Sequence, residues 1–348
     1  MAIWLVRAGS HGEHEQKFIA EKRVYVTWSG FNTNISSLSE RPALIQSLIG
    51  AYPDSKANTL RNWAGQLWPF AHEMQLGDLV VLPLKSQPLI YIGEITSAYK
   101  FEKAGQDPFY HWRSVKWIGE AVPRSHFSQD LLYSFGAFLT ICRIQRNNAE
   151  ARITAMRANK WAPETGIAVA NISDITDETQ ANEARDLEQL GRDQIARLIE
   201  ARFKGHNLTR LVDAILRAQG YTTWVSPEGA DGGADILAGT GALGFGELNL
   251  CVEVKSESGA IDRPTVDKLL GAVTKFGAKQ GLFVAWGGFK TTVQKELASS
   301  FFRVRLWSQK ELLEQLFLHY EKLDDDIKAE LPLKRVWTVV SPDSSSSA

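Results

Sequence analysis

Cysteine is scarce: the 348 residues include two, Cys142 and Cys251. Two thiols so far apart build neither a disulfide framework nor a cysteine-rich zinc centre, so a metal held here must rest mainly on oxygen. Long apolar runs are also missing. None approaches the roughly 20 residues of a membrane-spanning helix, and the opening MAIWLVRAGSHGEHEQ turns polar too early for a signal peptide. A membrane is therefore not an expected partner, and the cytoplasm is the expected location. No GxxxxGK[ST] occurs, so ATP is not an expected cofactor. His11-Gly12-Glu13-His14 lacks the helix-borne HExxH spacing of a metalloprotease and reads as a solvated turn.

Charge of one sign is lacking as well. The net charge is −1, made of +2 over 1–150, −3 over 151–200, +2 over 201–320 and −2 over 321–348. Two mildly basic segments permit a local DNA-facing patch without requiring one, because phosphate attraction depends on clustered charge. With 44% hydrophobic and 23% charged residues, the chain has the composition of folded globular domains.

Residues 1–150 read as short strands and turns: 3–6, 23–28, 78–82, 89–95, 111–117 and 137–141, with short helices over 41–49 and 59–74. This pattern predicts a small, strongly curved sheet or β-barrel. Residues 151–204 are polar and Ala-rich and read as a partly helical linker. Residues 205–320 interleave helices with strands over 222–225, 234–238, 248–255, 281–286 and 302–307, with helices over 263–276 and 291–299. This order predicts a mixed α/β sheet flanked by helices. Residues 321–348 form a C-terminal extension ending in a serine tract.

The chemistry-bearing feature is Asp235, followed 18 residues later by Glu253-Val254-Lys255. On a strand, Glu253 and Lys255 share one face while Val254 points the other way. If the glycine-rich 239–246 segment turns the chain back, Asp235 faces Glu253. Two carboxylates and the Val254 carbonyl then make a hard oxygen site for Mg²⁺, with Mn²⁺ as a substitute. Lys255 would position or activate the attacking water. Alone, Glu and Lys two apart are as readily a solvated ion pair; the apolar neighbours Val252 and Val254 imply a covered strand, where such groups usually have a task.

Helix-ending Ala218-Gln219-Gly220-Tyr221, then 229–236 with Asp231 and Asp235, then Val252-Glu253-Val254-Lys255-Ser256, then Leu270-Gly271-Ala272, then Gly281-Leu282-Phe283-Val284 resemble the Mrr-type catalytic domain of PD-(D/E)xK nucleases across 205–318. The resemblance implies that Asp235, Glu253 and Lys255 are catalytic, with Asp235, Glu253 and Val254 at the metal. Many relatives carry a glutamate in the first helix; here the nearest acid is Asp213. Asp231 reads more simply as a turn residue, and Ser256 and Gln280 as supporting groups.

In the first segment, Gly77-Asp78-Leu79-Val80-Val81 followed by Ile90-Tyr91-Ile92-Gly93-Glu94-Ile95 resembles the hairpin of PUA-like or EVE-like modules. Six of the eleven tryptophans fall here. Most should fill a core, yet aromatic side chains also sandwich an extruded base. That resemblance nominates Trp28, Ser29, Tyr99 and Trp112 for a base pocket and Arg7, Lys100 and Arg113 for phosphate contacts. The combined expectation is a reader domain joined to a cutter: a Mg²⁺-dependent, modification-dependent DNA endonuclease. It would act on double-stranded, modified DNA, as a homodimer. The alternatives are a structure- or damage-directed nuclease, and a non-catalytic DNA-binding protein on a nuclease scaffold.

Overall fold

The computed structural model describes residues 1–137, 139–164, 187–227, 233–290, 292–293 and 300–337. The chain divides into two compact units, Met1–Leu190 and Gly191–Trp337. Among the described residues no helix is long and apolar enough to cross a membrane.

The first unit is built on strands β1 (Ile3–Val6), β2 (Arg23–Val26), β3 (Leu79–Pro83), β4 (Leu89–Ile95), β5 (Lys100–Phe101), β6 (His111–Trp117), β7 (Val122–Pro123) and β8 (Ile141–Arg143). Helices α1 (Glu15–Glu21), α2 (Arg41–Ala51), α3 (Ala57–His72), α4 (Gln129–Phe135) and α5 (Ala149–Ala158) accompany them. The sheet runs β2-β6-β4-β3-β1-β8, with β5 on β6 and β7 on β4. Every pairing is antiparallel except β1 with β3.

Alternation along β1 and β3 explains why both are buried throughout. Trp4, Val6, Val80 and Leu82 enter one core with Leu44 and Leu48 of α2 and Leu60, Leu67 and Phe70 of α3. Ile3, Leu5, Leu79 and Val81 enter another with Leu131 and Phe135 of α4 and Ile153 and Met156 of α5. The expected small barrel is therefore a curled half-barrel with apolar packing on both faces, because its central strands are apolar at every position rather than at alternate ones. Among the described residues no pairing joins its ends, β2 and β8.

The second unit contains α6 (Leu187–Arg202) from Gly191 onward, α7 (His206–Ala218), β9 (Thr222–Val225), β10 (Ile236–Gly239), β11 (Asn249–Lys255), α8 (Arg263–Lys275), β12 (Gln280–Ala285), β13 (Val304–Trp307), α9 (Gln309–His319) and α10 (Asp325–Glu330). Its mixed sheet runs β13-β12-β11-β10-β9. The three strands β11, β12 and β13 are parallel, and β10 is antiparallel to both β11 and β9. Two cores sandwich this sheet. Val252, Val254 and Ile236 pack with α7 and α9, while Cys251, Phe283 and Ala285 pack with Val266, Leu269 and Val273 of α8.

The boundaries differ from those read in the sequence. Helix α5 supplies Ile153 and Met156 to the first unit's core, and α6 supplies Ile199 to the second's, so both ends of the expected 151–204 linker are core-forming. Leu323, Ile327 and Leu331 likewise close the second core, where a peripheral extension was expected. The helix expected over 291–299 lies largely outside the described residues, as does Asp231.

Candidate active site

The centre of the second unit lies where β10 and β11 meet. Their register pairs Ile236 with Val252, and Asp235, the residue before β10, is bonded to the same stretch of β11. Backbone bonds hold Asp235 there: its N–H donates to the Val252 carbonyl (2.8 Å), and its carbonyl accepts from Ser226 N–H (2.9 Å). Buried Ser226 also donates its hydroxyl to the Ala234 carbonyl (2.5 Å), pinning the preceding residue. The Val254 N–H donates to Asp235 Oδ2 at 2.6 Å.

The ladder alternates along β11. The Lys255 carbonyl accepts from Trp286 N–H on the β12 side, while the Val252 carbonyl and Val254 amide face β10. The Val254 carbonyl is thereby directed toward the Asp235 side of the strand. Side chains alternate too. Val252 and Val254 enter the α7 core, whereas Glu253 and Lys255 share the face of Cys251, Phe283 and Ala285. Lys255 Nζ lies 2.7 Å from Glu253 Oε1.

The electrostatics follow from this crowding. Partial burial works against the Lys255 ammonium, but its hydrogen bond to the Glu253 carboxylate and the charges of Glu253, Asp235 and Glu257 outweigh it and raise its pKa. Burial, reinforced by the charges of Glu253 and Asp235, pushes the Cys251 thiol up to about 11, so it stays protonated and inert at neutral pH.

Among the described residues no group of three or more His, Cys, Asp or Glu side chains gathers as a metal cage. The oxygen donors on this stretch are the Asp235 and Glu253 carboxylates, whose charges both act on Lys255, and the Val254 carbonyl. That set fits a hard divalent ion, which is commonly held by one or two carboxylates and completes its shell with water and a phosphate oxygen. The fit rests on the donor chemistry and on the nearness of both carboxylates to Lys255.

The loop after Lys255 is laced to the turn after β12. Gly287 N–H donates to the Glu257 carbonyl (3.0 Å), Ile261 N–H to the Gly288 carbonyl (2.9 Å), and Lys290 N–H to the Ile261 carbonyl (2.9 Å). A Cβ at Gly287 would collide with the backbone of Ser258 and Gly259. Ser256 Oγ accepts from Gly205 N–H at 3.1 Å, tying the same loop to the start of α7. Ser226 and Gly287 were not singled out from the sequence; only their three-dimensional neighbours reveal them.

The family model Mrr_cat, described as restriction endonuclease, matches residues 200–316. This segment is a restriction endonuclease domain. A second family model, described as a domain of unknown function, DUF8426, matches residues 4–131. No curated protein matches the sequence. Among solved structures, similarity is found to a DNA modification-dependent restriction endonuclease, AspBHI, at 13% identity, covering 73% of this chain and 67% of that one with a TM-score of 0.33. The MspJI restriction endonuclease in complex with a 27-mer oligonucleotide is similar at 13% identity, over 80% of this chain and 70% of that one, TM-score 0.32. A protein of unknown function, AF1548, is similar at 14% identity over 36% of this chain and 77% of that one, TM-score 0.26.

Outside the endonuclease domain, the nominated DNA contacts are largely structural. Arg7 donates to the Phe135 and Ala137 carbonyls rather than facing open solvent. Arg113 is 3% exposed and donates to the Phe70 and Ala71 carbonyls at the end of α3 and to Ser97 O. A cation there satisfies the helix's last acceptors. Its burial lowers its pKa to about 10. Both arginines are engaged by backbone carbonyls of this unit.

Tyr99 is spent in a similar way. Its hydroxyl bonds His111 Nδ1 (2.6 Å) and accepts from Ile35 N–H (3.2 Å), and burial raises its pKa. Trp112 is buried, with the Arg23 guanidinium 3.8 Å and Lys100 Nζ 4.8 Å from its ring centroid. Its π-face is thus taken by cations of this chain. Lys100 is exposed and Ser29 is exposed, with the Ser29 carbonyl accepting from Tyr52 OH (2.8 Å). Trp28 is half-buried, edge-on to Trp63 at 6.5 Å. Of the seven, Trp112 and Arg113 are buried, Arg7, Trp28 and Tyr99 are half-buried, and Ser29 and Lys100 are exposed.

Proposed function

We propose that this protein is a divalent-metal-dependent DNA endonuclease of the modification-dependent, type IV-like restriction class. The observation that carries the catalytic part is the convergence of Asp235, Glu253 and Lys255 at the β10–β11 junction, within the segment that matches a restriction endonuclease family. Asp235, Glu253 and the Val254 carbonyl would hold Mg²⁺, with Mn²⁺ able to replace it. The ion, when bound, supplies charge neutralisation at the phosphoryl oxygens and lowers the pKa of water.

The chain's own groups do the rest. Glu253 holds the Lys255 ammonium at 2.7 Å, and the Asp235 charge acts on the same ammonium. Because the environment raises the Lys255 pKa, the side chain acts as a cation that orients water and stabilises developing negative charge, not as a base. The Val254 amide keeps Asp235 aimed across the strand gap. One such centre cuts one strand, so two copies acting together on duplex DNA account for a double-strand break.

The first unit would serve as a PUA-like reader of a modified base. Support for that reading is the Gly77-Asp78 strand and hairpin, with Asp78 accepting from Ala2 N–H, Trp4 Nε1 and Gln75 N–H, joined to a nuclease domain in one chain. The test is digestion of matched plasmids with and without cytosine or adenine modification, in Mg²⁺ and in EDTA. Cutting restricted to modified plasmid in Mg²⁺ upholds the proposal. Cutting that ignores modification but follows DNA structure favours a processing nuclease, and binding without cutting leaves a scaffold.

A further inference from the structure

We propose that Trp224 is a DNA-contact residue of the endonuclease domain, packing its ring against the sugar or base of the cleaved strand beside the scissile phosphate. The inference rests on the nuclease reading above and names the residue that would grip the strand. Its basis is the register of the sheet. Trp224 pairs with Leu237, and Leu237 with Cys251. Leu237 and Cys251 belong to the α8-side core, whereas the neighbouring row of Val225, Ile236 and Val252 belongs to the α7-side core. Trp224 therefore projects from the same sheet face as Glu253 and Lys255.

On that face α8 packs over β11 and β12, while β9 is packed by α7 from the opposite side. Trp224, on the edge strand, is left 52% exposed. Its side chain makes no ring contact or hydrogen bond among the described residues. By strand spacing of about 4.8 Å and a rise of about 3.3 Å per residue, its Cα lies about 8 Å from that of Asp235. A strand whose phosphate meets Asp235 and Glu253 advances roughly 3.4 Å per nucleotide, so the ring falls about two nucleotides away. A flat apolar ring at that distance offers what a phosphate-directed ammonium and carboxylates cannot: contact with a deoxyribose or base face. Such contact is tolerant of sequence, which suits a cutter whose selectivity lies elsewhere.

The test uses the full chain with Trp224→Ala and Trp224→Phe. Binding of a fluorescein-labelled duplex is followed by anisotropy in EDTA, tryptophan emission is followed on adding unlabelled duplex, and cleavage kinetics are measured in Mg²⁺. Trp224→Ala should weaken binding about tenfold and raise KM with kcat little changed, while Trp224→Phe should stay within about threefold of the parent. Part of the DNA-induced quenching of tryptophan emission should vanish in both variants. If the parent cleaves and Trp224→Ala matches it in binding, KM and quenching, the inference falls while the nuclease reading stands. If the parent never cleaves with Mg²⁺, the nuclease reading falls, and quenching by DNA shows separately whether Trp224 meets the strand.

Discussion

The Val254 amide donates a 2.6 Å hydrogen bond to Asp235 Oδ2, so one carboxylate braces the β10–β11 junction while its charge acts on Lys255. Its two roles separate by substitution. Asp235→Asn keeps an acceptor for the amide but loses the charge, and should lower the cleavage rate at least about a hundredfold with under about 1 kcal/mol of lost stability. Asp235→Ala also strands the Val254 amide and should cost about 1–3 kcal/mol more. Thermal unfolding and single-turnover cleavage read the two effects.

The Lys255–Glu253 pair sets the expected pH dependence. The folded-state pKa of Lys255 is raised above its unfolded value of about 10.4, so the pair's contribution is fully present below that value. It is lost only as pH rises through the raised pKa. With Lys255 about one-third exposed, that contribution is under about 1 kcal/mol. Cleavage should therefore show no decline from Lys255 deprotonation between pH 7 and 9. Lys255→Gln should lower the rate by about 10²–10³ across that range. A pH–rate profile of parent and variant checks both.

Arg113 is expected to matter for folding and not for DNA. Arg113→Ala removes three carbonyl contacts, two of them at the end of α3, and should cost about 2–4 kcal/mol, seen as a lower midpoint for the first unit in urea. DNA affinity of the folded fraction, measured by anisotropy, should match the parent. Arg7, bonded to the Phe135 and Ala137 carbonyls, should behave likewise.

Gly287 controls the loop that follows Lys255. A methyl group there meets the Ser258 and Gly259 backbone, so Gly287→Ala must displace the 256–261 loop. The expected outcome is a cleavage rate about tenfold lower, with secondary structure by circular dichroism unchanged.

The shared face and pairing of the candidate residues were legible because strand geometry is periodic. Strand alternation fixes the common face of Glu253 and Lys255, and the glycine-rich 239–246 segment announces the reversal that brings Asp235 across. The same parity applies to Trp224, but its exposure depends on where α8 ends, which no local pattern encodes. The first unit was less legible for a related reason. Arg113 reads as a surface cation until the carbonyl end of α3 is seen against it, and Trp112 reads as a stacking platform until Arg23 and Lys100 occupy its face. Helix α1 was missed because its N-cap, His14, makes no side-chain capping bond, and α5 because its AEARITAMRA sequence has few apolar positions.

The central claim is that Asp235, Glu253 and Lys255 form one metal-dependent DNA-cleaving centre. Its most direct measurement is conversion of supercoiled modified plasmid by the parent and by Asp235→Asn, each in Mg²⁺ and in EDTA. Nicked and linear products should form with the parent in Mg²⁺ and in no other arm. Equal conversion by Asp235→Asn, or by the parent in EDTA, would contradict the account.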